Sequence, residues 1–150
     1  MSLRPSRLQL QERQSILQID HSGSVTLAVA PQGLAADFFG HRPPTTRQLE
    51  RAIDAIEDAL TGTRLTHAER GTLMTGGALV RAIPGLQHEA DSLTCEAVEA
   101  LFQRLASASI GRRLLVAESP VAAEVAATVL LLRELMHHLG FAAVTVASDR

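Results

Sequence analysis

The sequence predicts an α/β protein: a mixed sheet with helices, in the order βββαβααβ. Three observations carry that expectation. The first forty residues hold short alternating or β-branched apolar segments parted by turn residues. Two later segments repeat apolar side chains at three- and four-residue steps, the period of an amphipathic helix. A long apolar helix opened by Pro120 and closed by Gly140 then runs into a final β-rich segment. With 150 residues, 46% of them hydrophobic, the chain is the length of one domain with a sizeable core. Residues 1–13 read as an N-terminal arm and residues 14–150 as the domain.

Taken in order, "QSILQID" and "SVTLAVA" are strand-like, and the "HSGS" region between them has turn chemistry. "PQG" makes a second turn into "LAADFF", read as a third strand. Gly40, Pro43 and Pro44 stop that segment, and Thr45 or Thr46 can cap a helix. In "RQLERAIDAIEDAL" the stripe of Leu49, Ala52, Ile53, Ile56 and Leu60 faces away from Glu50, Asp54, Glu57 and Asp58. "GTLMTGG" reads as a buried strand ending in a glycine turn, with a short helix "ALVRAI" after it. "SLTCEAVEALFQRLAS" is a helix capped by Ser92 or Thr94. The helix that Ser119 caps is apolar round most of its circumference, so it should be buried. "FAAVTVAS" is the last strand.

Composition narrows the function classes. The formal charge is −2 and the 14 Lys and Arg are scattered, which argues against a nucleic-acid groove. Aromatic residues are 3% of the chain, all Phe, so base-stacking platforms are lacking. The single Cys95 excludes an intrachain disulfide and suits a reducing cytoplasm. The N-terminus has no apolar stretch of signal-peptide type, and Glu124, Arg133 and Glu134 interrupt the most apolar run, so no membrane association is expected.

Two turns draw functional notice. In "IDHSGS", Asp20 stands at a bend with Gly23 inside it. An acid there can hold a metal or a water while backbone N–H groups face an anion. Asp20 equally suits a turn acid that accepts hydrogen bonds from its own loop. In "TGG", Gly76 and Gly77 let a helix start close to the sheet or to a ligand. The six histidines show no ligand-like spacing, His137 and His138 being adjacent and divergent on one helix, so no zinc site is expected.

From about Ile16 onward these motifs resemble the exopolyphosphatase and guanosine pentaphosphate phosphatase (Ppx/GppA) family, in the C-terminal half of its phosphatase core. "IDHSGSVT" stands where that family has an Asp, Ile, three Gly, Ser, Thr phosphate loop. "MTGGALVRAI" is similar to its Thr, Gly, Gly, Thr, Ala turn, and "SLTCEAVEALFQRLAS" to its Leu, Thr, Leu, Glu, Glu helix. "VAAEVAATVLLLRELMHHLGFAAVTVASDR" resembles its long helix followed by a strand ending Val, Ser, Asp, Arg. The resemblance implies a single half of the actin-like ATPase (ribonuclease H-like) fold.

By position it implies that Asp20 is the catalytic residue, holding Mg²⁺ or the attacking water. Ser22, Gly23, Ser24, Gly76 and Gly77 would bind phosphate. The implied ligand is polyphosphate or a guanosine nucleotide. Hydrolysis of phosphoanhydrides would need a second chain to complete the cleft, either another copy or a separate N-terminal-half protein, because the family's first phosphate loop and catalytic glutamate have no counterpart here. Ser22 and Ser24 replace two of the three glycines, and Ala123 replaces an Arg before the helix acid. Those departures keep open an alternative, a non-catalytic pseudo-phosphatase module acting through interaction or regulation as a dimer.

Overall fold

The computed structural model describes residues 5–19, 23–40, 44–111 and 120–148, with the side chains of 108–111, 120 and 121 excepted. Its strands are β1 (Ser6–Leu10), β2 (Ser15–Ile19), β3 (Gly23–Leu27), β4 (Gly71–Thr75), β5 (Ser92–Thr94) and β6 (Phe141–Val146). They form one sheet in the spatial order β3-β2-β1-β4-β6-β5. The centre is parallel, with β1 beside β4 and β4 beside β6, while β2, β3 and β5 pair antiparallel to their neighbours. The chain is therefore α/β with a mixed sheet, as its sequence predicts.

The helical elements are α1 (Pro31–Leu34), a π-helical turn (Ala35–Phe39), α2 (Thr46–Thr63), α3 (Ala78–Arg81), α4 (Cys95–Gly111) and α5 (Pro120–Leu139). Alternation along the strands sends Leu8, Leu17, Ile19, Leu27, Leu73, Val144 and Val146 into one core with these helices. Arg7, Gln9 and Gln18 are exposed on the other face. The α5 helix is the hub of that core. Ala123, Ala127, Leu130, Leu131 and Leu135 are each fully buried, which accounts for its nearly continuous apolar sequence.

Local signals explain most boundaries. Thr45 caps α2: its hydroxyl accepts from Gln48 N at 3.2 Å, and the Gln48 side chain accepts from Thr45 N at 2.9 Å. Thr94 caps α4 by accepting from Ala97 N at 3.1 Å. Gly140, at φ 87°, closes α5, and Arg70 reaches the same end by donating from Nε to Leu139 O at 2.8 Å. Ser119, the expected cap of α5, lies outside the described residues.

Three segments differ from expectation, the shortest being Ser92–Thr94, read as the cap region of a helix, which is β5 and pairs with β6. Ser6–Leu10, read as part of an arm, is β1, and it pairs with both β2 and β4. In "SRLQL" every second residue from Ser6 is buried or half-buried, a period of two among polar residues that weaken the apolar signal. "LAADFF", read as a strand, is helical instead. Pro31 opens α1, and the i→i+5 turn brings Phe39 round toward Leu34 and Ala35, so that all three are buried.

Candidate functional site

A cleft of about 430 Å³ opens where β4 and β6 end. It is lined by Arg7, Gln9, Gln18, Met74, Gly76 and Gly77, with Leu8, Leu10, Ile16, Thr75, Ala147 and Ser148 completing the wall. Among the described residues of that lining, Arg7 is the one charged side chain and none carries a carboxylate. The wall is held firmly. Thr75, 2% exposed, donates its hydroxyl to Leu8 O at 2.9 Å, and its own carbonyl accepts from Ala147 N at 2.7 Å. Chain leaving Thr75 must turn at once, and Gly77 does so at φ 101°, a conformation that favours glycine.

Gly76 and Gly77 thus lie where a ligand can enter, but Gly23 and Ser24 lie outside the cleft lining. Asp20 and Ser22 are outside the described residues. Gly23 pairs with Ile19, and β1 sets Ser6 against Leu73 and Arg7 against both Gln18 and Met74. Gly23 is therefore level with Leu73, three strands away from β4. That places it roughly 14 Å across the sheet and about 10 Å along it from Gly76. Ser24 pairs with Gln18, which lines the cleft, while Ser24 itself does not. One site uniting Gly23 and Ser24 with Gly76 and Gly77 is not what the register builds.

The turn that shares an end with Gly76 and Gly77 is Gln11–Gln14, between β1 and β2. It closes on itself, Gln11 N donating to Gln14 O at 2.9 Å and Gln14 Nε2 donating to Gln11 Oε1 at 2.8 Å. It contains no glycine, and Arg13 is drawn to Asp37 at 3.1 Å. Among the described residues the cleft lining offers Mg²⁺ no carboxylate, the side chain that usually holds it.

A polar network lies toward the other end of α5. Arg133 donates to both carboxylate oxygens of Glu99 and, at 2.7 Å, to Glu134 Oε2. It also stacks over the Phe102 ring, 4.2 Å from the centroid. The guanidinium holds the Glu99 carboxyl below its ordinary value, and Glu99 in turn raises Arg133. His138 Nε2 lies 3.3 Å from Glu134 Oε1 and 3.2 Å from Glu57 Oε2 on α2. Glu57, Glu134 and His138 form a carboxylate–imidazole cluster able to hold a metal ion. The Glu134 and His138 spacing of four was legible in "ELMHH"; the third member on α2 was not. Arg7 and Gln9 were missed because their strand was read as an arm.

No family model matches the sequence, and no curated protein matches it either. Solved structures do. A Ppx/GppA phosphatase from Aquifex aeolicus shares the fold with TM-score 0.72 at 14% identity, over 99% of this chain and 54% of that one. An exopolyphosphatase from Cytophaga hutchinsonii gives 0.68 at 14% identity, over 96% and 53%. An exopolyphosphatase-like protein gives 0.67 at 11%, over 97% and 56%. The chain spans about half the length of these structures, and in fold it resembles about half of a Ppx/GppA chain.

Proposed function

We propose that this chain is a Ppx/GppA-like half-domain that binds polyphosphate or a nucleotide phosphate and does not hydrolyse it unaided. The observation that carries the reading is the cleft at the ends of β4 and β6, where Arg7 and the Gly76–Gly77 backbone stand beside the amide side chains of Gln9 and Gln18. A guanidinium offers a phosphate five donors in a fixed fork, and glycines admit it close to the main chain. Phosphoryl transfer also needs an acid or a bound metal to position the nucleophile, and among the described residues of this lining there is no acid. Hydrolysis then requires a second chain that completes the cleft, another copy or an N-terminal-half protein. The single cysteine is the ground for placing the protein in the cytoplasm.

Thermal unfolding with polyphosphate, GTP and guanosine tetraphosphate, with and without Mg²⁺, tests this. Ligand at a hundred times its Kd raises the midpoint by about 5 to 11 °C. Arg7→Ala removes the rise and Asp20→Ala leaves it, with no phosphate released. A rise lost in Asp20→Ala and kept in Arg7→Ala would transfer the site to the β2–β3 end. No rise with any ligand would leave the second reading, a non-catalytic interaction module. The self-closed Gln11–Gln14 turn favours that alternative, and sedimentation as a strict monomer with no captured partner would oppose it.

A further inference from the structure

The Glu57, Glu134 and His138 cluster brings two carboxylate oxygens to one imidazole nitrogen. His138 Nε2 faces two carboxylate oxygens, at 3.2 and 3.3 Å, yet one ring nitrogen carries at most one proton. Zinc bonds of about 2.0 to 2.2 Å set the ligand atoms of a tetrahedral site about 3.3 to 3.6 Å apart, close to both separations. Glu134 is 3% exposed, and its second oxygen is anchored by Arg133, which Glu99 anchors in turn. That is the outer-shell arrangement which fixes a ligating carboxylate. Glu57, Glu99 and Glu134 against Arg133, with neutral imidazole, carry a formal charge of −2, which one divalent cation cancels.

We infer that Glu57 Oε2, Glu134 Oε1 and His138 Nε2 hold a divalent first-row transition metal, zinc foremost, that clamps α2 to α5. Mixed imidazole and carboxylate donors favour zinc, cobalt or manganese over magnesium. The site lies near the start of β6, whereas the phosphate cleft lies past its end, about 17 Å along the strand. It stands independently of the function proposed for the cleft.

Titration of the chelator-treated chain with Zn²⁺ by calorimetry, and with Co²⁺ by visible absorption, tests the inference. One ion binds per chain, Co²⁺ gives the intense bands of tetrahedral coordination, and Zn²⁺ raises the unfolding midpoint. His138→Ala weakens binding at least tenfold. Glu57→Gln, a half-exposed position that keeps its volume, does the same without unfolding the metal-free chain. His137→Ala, the adjacent exposed histidine, leaves Kd within about twofold. Equal losses in His137→Ala and His138→Ala, or no saturable binding of Zn²⁺ to the parent chain, would overturn the site.

Discussion

Substituting Gly140 by alanine tests how the end of α5 is joined to the sheet. At φ 87° any side chain is strained, which costs about 1 to 2 kcal/mol. A Cβ at this position would overlap the carbonyl oxygen of Ala68, so backbone rather than a flexible side chain must move. That displacement threatens two bonds of the junction, Ala68 N to Leu139 O at 3.3 Å and Arg70 N to Gly140 O at 3.0 Å, each contributing about 1 kcal/mol. The total is about 3 to 4 kcal/mol, and at roughly 2 to 4 °C for each kcal/mol the midpoint falls by about 6 to 16 °C. Gly71→Ala is the control: its φ is 69°, but nothing lies within 4 Å of the added methyl, so only the strain of about 1 to 2 kcal/mol applies. Calorimetry and urea unfolding of both variants measure the difference. Equal losses in the two would refute the contact with Ala68 as the cause.

Glu99→Gln should reduce stability at neutral pH by about 0.5 to 1 kcal/mol, since the side chain is 41% exposed and solvent screens its ion pair. Arg133 lowers the folded Glu99 value, so the pair's contribution is full above the ordinary 4.5 and is lost as pH falls through the lowered value. The gap between parent and variant in urea unfolding accordingly closes in acid; a gap that widens would contradict the pairing. Arg133→Met should cost more, about 3 kcal/mol, because it leaves Glu134 Oε2 without its guanidinium on a side chain that is 4% exposed. A loss no larger than that of Glu99→Gln in the same assay would show that the buried carboxylate does not depend on the guanidinium. Thr45→Ala removes the cap of α2 and should cost about 1 kcal/mol, read as a lower thermal midpoint with the ligand response retained.

The sequence by itself determined the elements whose signals are local. The α2 stripe, a hydroxyl cap ahead of α2 and of α4, the α5 helix with Gly140 beyond it, and the β4 strand running into Gly76 and Gly77 all follow from patterns within a few turns of chain. Short apolar runs are different: six residues such as "LAADFF" do not distinguish strand from buried helix, and burial of Leu34, Ala35 and Phe39 decided it. The candidate site depended on something less local still. Each hairpin reverses direction, so missing β1 among the polar residues of the supposed arm hid the register that sets Gly23 and Ser24 apart from Gly76 and Gly77. Only the pairing of β1 with β4, between residues more than sixty positions apart, determines which turn faces Gly76 and Gly77. Likewise, Glu134 and His138 share a helix face by spacing alone, but bringing Glu57 to them required α2 to pack on α5.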